Sequence, residues 1–493
     1  MKSLNIWVCF KVQPDFSHVL ESDWASFSLD SDISYAKNEI NCFDESSLEI
    51  ALRLKESLLH EGYEVHLGAV TLAPSLLPNI RKNLFAAGYD EILRLDARIE
   101  FSPVKTGKLL AARLAEKKPD IVFMGKQAGY ADTGTVPYYA AEELRMPLLA
   151  EVENVTWEQG GLIVRQLHGG MRRELRISTP IAVVVGNSPV TVLRASTLRK
   201  RLEAAKHKET VIGIEEREVT QSSLLVYKQQ ERPIQMLAPE SAADELVKIM
   251  KSAEISKKIA QDKSAAPSFN VPSNVSVFTA SSADTAIRFA IRNNLDCING
   301  VTGISEDGKS VITKVCGSNI EWLRPIGNEK QVWITSPTVI EEIIANSLPE
   351  YCNPSIKEIL REEKIPSNPL PEARLLLVGG RGMGNAEGIA KLQELAVRLG
   401  GQTGITRGAA QNAWGGMHLV IGQSGVITQP DVCVAFGVSG AAAFMTGIEK
   451  AKTLIAVNTD PDAPIFKYAD YGIIINAEEL LNTLLEKGAS RYV

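Results

Sequence analysis

The chain has 493 residues, of which 45% are hydrophobic and 23% charged, with a net charge of −6. That length allows two to four domains, and the composition is that of an ordinary globular protein. The acidic balance supplies no basic surface for nucleic acid, and no apolar run approaches the ~20 residues of a membrane helix.

Strands and helices alternate from the start. Asn5–Phe10 reads as a buried strand, Ser46–His60 as an amphipathic helix, Glu64–Leu72 as a strand and Leu76–Ala87 as a helix. Glu91–Leu95, a helix over Val104–Glu116 and the strand Ile121–Gly125 follow. Short, continuously apolar runs between helices predict a parallel sheet covered on both faces, and hence an α/β domain to about residue 190. From Pro189 to Met250 the pattern changes to a basic helix over Thr197–Lys208 and a mixed polar stretch over Glu215–Val226, read as an extended arm with no evident sheet to join. Lys251–Ser276 has the Ser, Ala, Lys and Pro content of a linker. A small α/β module with strands at Lys309–Val315 and Gln331–Thr335 runs from Val275 to about Ala345. The punctuated stretch Arg361–Glu372 precedes a last domain beginning at the strand Arg374–Val378. No short internal repeat is evident.

No signal peptide is expected, because Leu4 to Phe10 is cut short by Lys11, and no transit peptide is expected, because no arginine precedes Arg53 and acidic residues are frequent there. A cytoplasmic protein without membrane insertion is expected. Cysteines at positions 9, 42, 297, 316, 352 and 433 form no Cys-x-x-Cys or Cys/His cluster. Neither a metal site nor a disulfide framework is expected.

The most specific signal lies between Gly379 and Asn476. The strand Leu375–Val378 runs into Gly379-Gly380-Arg381-Gly382, and a helix follows with Ile389, Leu392, Ala396 and Leu399 on one face. Glycines at such a turn let main chain approach a phosphate, and a helix amino terminus favours the anion. Arg381 adds a forked cation suited to phosphate. Arg407 comes one helix and one strand later. Gly422-Gln423-Ser424-Gly425 precedes the strand Val432–Phe436, Ser439-Gly440-Ala441 opens the next helix, and Asn458 ends the strand Thr453–Val457. Each polar residue alone is a plausible cap or turn former. Five such loops in succession, each beside a strand, describe one crevice at the carboxyl ends of a parallel sheet.

Val-Ser-Gly-Ala, Asn-Thr-Asp-Pro-Asp-Ala-Pro-Ile-Phe and Ala-Asp-Tyr-Gly-Ile, with their spacing from Arg381 to Asn458, make this segment resemble the flavin-binding domain of the electron transfer flavoprotein alpha subunit. The resemblance implies noncovalent FAD. Arg381 would meet the pyrophosphate region, Arg407 would lie against the isoalloxazine ring and Ser424 would hydrogen-bond the flavin N5 edge, with Gly382, Thr406, Gly422 and Gln423 also in the FAD site. Ser439, Gly440, Ala441 and Asn458 would hold the phosphates and the adenosine end. Two positions depart from the family: Phe444 stands where a histidine contacts flavin O2, and Asn476 replaces an acidic residue.

Lys11-Val12-Gln13-Pro14-Asp15, Asn41-Cys42-Phe43-Asp44 with the helix after it, and Gly125-Lys126-Gln127-Ala128 with Asp132, Thr133 and Val136 resemble the beta subunit of the same family. By that resemblance Cys9, Asn41, Asp44, Gly125, Lys126, Gln127, Asp132, Thr133 and Val136 would hold an adenine nucleotide, either AMP or a second FAD. Thr133 and Val136 point toward a second FAD, whereas Tyr130 and Ala131 point away. Leu198, after Ala195-Ser196-Thr197, matches the leucine that anchors a partner dehydrogenase; the other reading is a core leucine. The implied protein is a natural beta–alpha fusion, one chain in place of the usual heterodimer. A beta-like domain would span residues 1–255 with an arm at about 189–250, a linker 256–274, a reduced alpha module 275–365 and an FAD-binding domain 372–493. The fold class is α/β, with an N-terminal parallel-sheet adenine-nucleotide domain, a small middle α/β module and a C-terminal parallel-sheet FAD domain. The implied function is an electron carrier between a flavin-containing dehydrogenase, of the acyl-CoA type for example, and a quinone reductase or similar acceptor, with no catalytic acid or base. Two alternatives are a bifurcating flavoprotein oxidising NADH with two FADs, and a nucleotide-binding protein without redox work.

Overall fold

A computed structural model describes residues 2–16, 19, 21–25, 27, 33, 35–97, 99, 102–129, 134–214, 224–227, 232–255, 271–279, 283–316, 320–335 and 353–489. Its largest sheet has ten strands, in the order Thr210–Gly213, Glu91–Asp96, Glu64–Leu72, Ser3–Cys9, Ile121–Gly125, Ile181–Val185, Leu148–Glu158, Gly161–His168, Met171–Ile177 and Ile356–Lys364. Pairing is parallel from the first of these to Leu148–Glu158. The central strands are buried along their length, Ile121–Gly125 and Ile181–Val185 completely, as a sheet packed on both faces requires. The helix Cys42–His60 covers one face with Leu48, Leu52, Leu54 and Leu58. The helix Pro103–Lys117 covers the other with Leu110 and Leu114.

Beyond Leu148–Glu158 the sheet continues antiparallel. This extension is absent from the sequence reading, although two turns announce it: Gln159 and Gly160, and Gly169 and Gly170, all have positive φ, as two-residue hairpin loops require. Its last strand, Ile356–Lys364, overlaps the stretch read as mere punctuation. It is held by ion pairs of Arg173 with Glu362, Arg176 with Glu358 and Arg172 with Glu363 rather than by apolar burial.

The arm also differs from expectation, because it joins three sheets. Thr210–Gly213 forms the edge of the large sheet, Leu224–Tyr227 pairs with Ile320–Pro325 of the middle module, and Gln235–Met236 pairs with Tyr471–Ile474 of the last domain. The helix Pro239–Ile255 then packs Ala242, Ala243, Leu246 and Met250 into the last domain's core. The middle module is a six-stranded mixed sheet that includes Ser310–Val315 and Gln331–Thr335, with the helix Ala283–Arg292.

The last domain is a parallel sheet in the order Gln235–Met236, Tyr471–Ile474, Thr453–Asn458, Val432–Phe436, Leu375–Gly379, Gln402–Ile405. Leu375–Gly379 and Val432–Phe436 are adjacent, and their following connections leave on opposite sides. This is a topological switch point, where open α/β sheets form a ligand crevice.

Candidate functional site

The crevice is built from main chain. Leaving the strand Leu375–Gly379, Gly380 donates its N–H to Phe436 O at 2.9 Å, and Gly382 donates to Gly437 O at 3.0 Å. The two switch-point loops therefore meet glycine against glycine. A Cβ on Gly380 would stand 2.3 Å from Gly437 O, one on Gly382 2.6 Å from Gly437 Cα, and one on Gly437 2.6 Å from Gly382. Gly437 also has φ +61, a left-handed conformation that costs other residues about 1–2 kcal/mol. Side chains at these positions would drive the two loops apart.

Around this floor stand the residues singled out from sequence. Arg381 is exposed, and its side chain runs along Gly408, whose Cβ would lie 3.1 Å from Arg381 Cδ. Thr406 caps the short helix Arg407–Gln411, accepting from Ala409 N at 3.4 Å, and its own N–H donates to Gly379 O at 3.0 Å. Arg407 reaches across to the N-terminal domain, where Nη2 donates to Cys42 O at 3.1 Å and to Thr191 O at 2.9 Å. Gly422 has φ +123 and no room for a Cβ against Ala443 O. Gln423 N–H donates to Ala443 O at 2.7 Å, and Ser424 is buried beside it. The main chain of Ser439 is tied through its O to Ile465 N at 3.0 Å. Gly440 has φ +88 and lies against Ile465 N, and Ala441 precedes the helical turn Ala442–Met445. Asn458 donates from Nδ2 to Val438 O at 2.9 Å and accepts from Asp460 N at 3.1 Å, fastening its own loop to the Ser439 loop. Asn476 accepts from the N–H groups of Glu478 and Glu479, which makes it the cap of the helix Ala477–Ala489. Phe444 is 5% exposed in an apolar cluster with Ile421, Cys433, Met445 and Ile448.

Arg407 faces several acids of the N-terminal domain. Burial pushes the Glu39 carboxyl up to about 7, helped by Asp15 and Glu45 and opposed by Lys37 and Arg407. Burial also raises the Cys42 thiol to about 11, with Arg407 pulling the other way.

A second cleft lies at the carboxyl ends of the N-terminal strands, lined by Cys9, Asn41, Asp44, Gly125, Lys126, Gln127 and Val136 among others. Asp44 is its keystone: Oδ2 accepts from Lys11 N and Oδ1 from Gly125 N, each at 2.9 Å. Burial lifts its carboxyl to about 6 against these hydrogen bonds and that of Asn41. Asn41 donates to Gln127 O at 2.7 Å, while its Oδ1 is buried with no hydrogen-bond partner among the described residues. Buried amide oxygens are rarely left so, and Asn41 is one of the residues lining the cleft. Lys126 pairs with Glu151 at 2.5 Å. Asp132 and Thr133, with Tyr130 and Ala131, lie outside the described residues.

Leu198 begins the helix Leu198–Ala204 and is 73% exposed, with Leu202 one turn on also exposed. Sequence reasoning named the Gly379–Gly382 turn but missed Gly437, which packs against it, although a glycine directly after the strand Val432–Phe436 was a signal. It also missed the carbonyls of Cys42 and Thr191, for which no side-chain signal exists.

Residues 369–449 match the family model of the electron transfer flavoprotein FAD-binding domain, and residues 32–213 match that of the electron transfer flavoprotein domain. The chain is 32% identical over 207 residues to electron transfer flavoprotein subunit alpha of Bacillus subtilis, covering 38% of this chain and 63% of that protein. It is 43% identical over 118 residues to the mitochondrial alpha subunit of Oryza sativa subsp. japonica, covering 24% and 33%. With protein FixB of Azotobacter vinelandii it shares 40% over 122 residues, covering 25% and 34%. The chain thus spans less than two thirds of each of these relatives. Among the described residues no helix is long and apolar enough to cross a membrane.

Proposed function

We propose that this chain, which carries an electron transfer flavoprotein domain and an electron transfer flavoprotein FAD-binding domain, is a single-chain FAD-dependent electron carrier. The observation that carries this reading is the glycine floor at Gly380, Gly382 and Gly437, set at a switch point between Arg381 and Arg407 and inside the matched FAD-binding segment. Bound FAD would supply the redox chemistry, accepting and releasing electrons.

The chain's own residues bind and orient it. The N–H groups of Gly380 and Gly382 are taken up by the Phe436–Gly437 loop, so the glycines set the shape of the turn, and the Arg381 side chain offers a diphosphate a planar pair of donors. Arg407 is fixed by two carbonyls of the other domain, so its charge stands at the seam between the two halves without needing to reorganise. A fixed cation favours the more negative form of whatever ligand it faces. Asn458 and Ser439 hold the adenosine end by keeping two loops together.

The N-terminal cleft takes an adenine nucleotide. The residues Asn41, Gly125, Lys126 and Gln127 lining one cleft support this, with the buried Oδ1 of Asn41 still lacking a partner among the described residues. AMP there fits simple electron transfer, and a second FAD fits bifurcation with NADH. The exposed pair Leu198 and Leu202 fits a docking anchor for a donor flavin dehydrogenase, of the acyl-CoA type for example, with a quinone reductase as acceptor. The direct test mixes the FAD-loaded chain with an acyl-CoA dehydrogenase and its substrate under anaerobic conditions. Bleaching of the carrier's flavin, dependent on the dehydrogenase, supports the reading. Bleaching by NADH alone favours bifurcation, and no bleaching by either donor counts against electron transfer.

A further inference from the structure

The strand Val12–Pro14 pairs antiparallel with Asn38–Ile40, setting Gln13 opposite Glu39. Gln13 is only 8% exposed, and a buried amide is costly unless hydrogen-bonded. Its Oε1 accepts from the N–H of Gly129 at 2.8 Å. Gly129 follows Gln127 and Ala128 in the loop that lines the N-terminal cleft. The C-terminal domain meets Gly129 on the same side: a Cβ on Gly129 would lie 3.0 Å from Gln13 Nε2 and 3.2 Å from Gln423 Oε1. Gln423 belongs to the loop Gly422–Gly425 of the FAD domain. Both amides therefore close on the one space that Gly129 leaves empty, where a residue clamping the N-terminal loop meets a residue of the FAD domain. The same loop is clamped a second time where Asn41, itself a residue of the N-terminal cleft, donates to Gln127 O, and the buried Oδ1 of that asparagine has no partner among the described residues.

We propose that Gln13 is a positioning residue that couples the two nucleotide sites: a nucleotide seated on Asn41 fixes the loop from Gln127 to Gly129, and Gln13 transmits that order through Gly129 to Gln423, tightening FAD. This rests on the two-nucleotide reading of the clefts. Coupling between sites is reciprocal, so FAD must tighten the nucleotide by the same factor, and factors of about 5 to 150 are typical. Gln13 touches neither ligand in this account. Loss of its amide leaves Gly129 N–H without its acceptor and the loop free to move independently of Gln423.

The experiment uses the full-length chain freed of nucleotide, with AMP as the probe. FAD affinity is measured by fluorescence titration with and without saturating AMP, in the wild type and in Gln13→Leu. The wild type should bind FAD at least about fivefold more tightly with AMP. In Gln13→Leu that ratio should fall toward one. A merely structural role would weaken both ligands while leaving the ratio intact, and that result overturns the proposal. Should the variant fail to fold, AMP affinity of the wild type with and without FAD is decisive: the same ratio supports coupling, and a ratio of one overturns it. A chain that binds FAD but no adenine nucleotide at a second site overturns the reading of the N-terminal cleft. A chain that binds both with a ratio of one overturns the coupling alone.

Discussion

Replacing Gly380 by alanine tests the crevice floor. The new Cβ would stand 2.3 Å from Gly437 O, whereas ordinary carbon–oxygen contacts are about 3.3 Å or more, so one loop must retreat by about 1 Å. The obstacle is a carbonyl of the neighbouring loop, and no side-chain rotation relieves it. Retreat stretches the bonds from Gly380 N to Phe436 O and from Gly382 N to Gly437 O, each worth about 1 kcal/mol. With an overpacking cost of about 1–3 kcal/mol, the loss is up to about 3–5 kcal/mol. Gly384 is the control: it lies in the same loop with φ +79, but a Cβ there meets nothing within 4 Å. Gly384→Ala should cost only the strain of its positive-φ backbone (φ 79, ψ −44), about 1–3 kcal/mol. Urea denaturation gives stability and fluorescence titration gives FAD affinity. Gly380→Ala should lose FAD affinity by about a hundredfold, whereas Gly384→Ala should stay within about threefold of wild type. Equal FAD binding by wild type and Gly380→Ala, or equal damage in both variants, would refute the reasoning.

Arg407→Ala should lower the flavin potential in a redox titration and weaken the seam between domains, since hydrogen bonds from a charged donor are worth about 1.5–3 kcal/mol each; an unchanged potential with FAD retained removes the tuning role. Leu198→Ala should leave stability within about 0.5 kcal/mol, as expected for a side chain 73% exposed, yet slow flavin reduction by a donor dehydrogenase at least about fivefold; an unaltered rate argues against the anchor. Asp44 gives a pH dependence of definite sign. Its folded pKa of about 6 lies above the ordinary 3.8, so the fold holds the proton more tightly than the unfolded chain does. Its contribution is fully present below about pH 4 and is lost as pH rises through about 6, by up to ~3 kcal/mol. Denaturation curves of wild type and Asp44→Asn over that range should differ in slope, and parallel curves would contradict the assignment.

The α/β alternation was readable because it is local. Glu64–Leu72 and Ile121–Gly125 are continuous apolar runs ended by turn residues, and they form strands with the expected bounds. The antiparallel extension was not readable from apolar pattern, because Met171–Ile177 and Ile356–Lys364 are rich in charges that pair only across strands distant in sequence. The arm was misread for the same reason. Leu224–Tyr227 and Gln235–Met236 are short, and their partners, Ile320–Pro325 and Tyr471–Ile474, lie far along the chain. At the site, Arg381, Ser439 and Asn458 could be found because each follows its own strand. Gln13 at Gly129, and Arg407 at the carbonyls of Cys42 and Thr191, join loops far apart in sequence, and main-chain partners leave no mark in residue type.

The central claim is that the crevice between Gly380 and Gly437 holds FAD. The most direct measurement is to denature the purified chain, separate the released nucleotides and count flavin per chain, after incubating the protein with excess FAD and removing what is unbound. The account predicts one noncovalent FAD in the C-terminal crevice of the wild type, lost in Gly380→Ala, with AMP or a second FAD from the N-terminal cleft. A chain that retains no FAD, or one whose flavin content is untouched by Gly380→Ala, would contradict it.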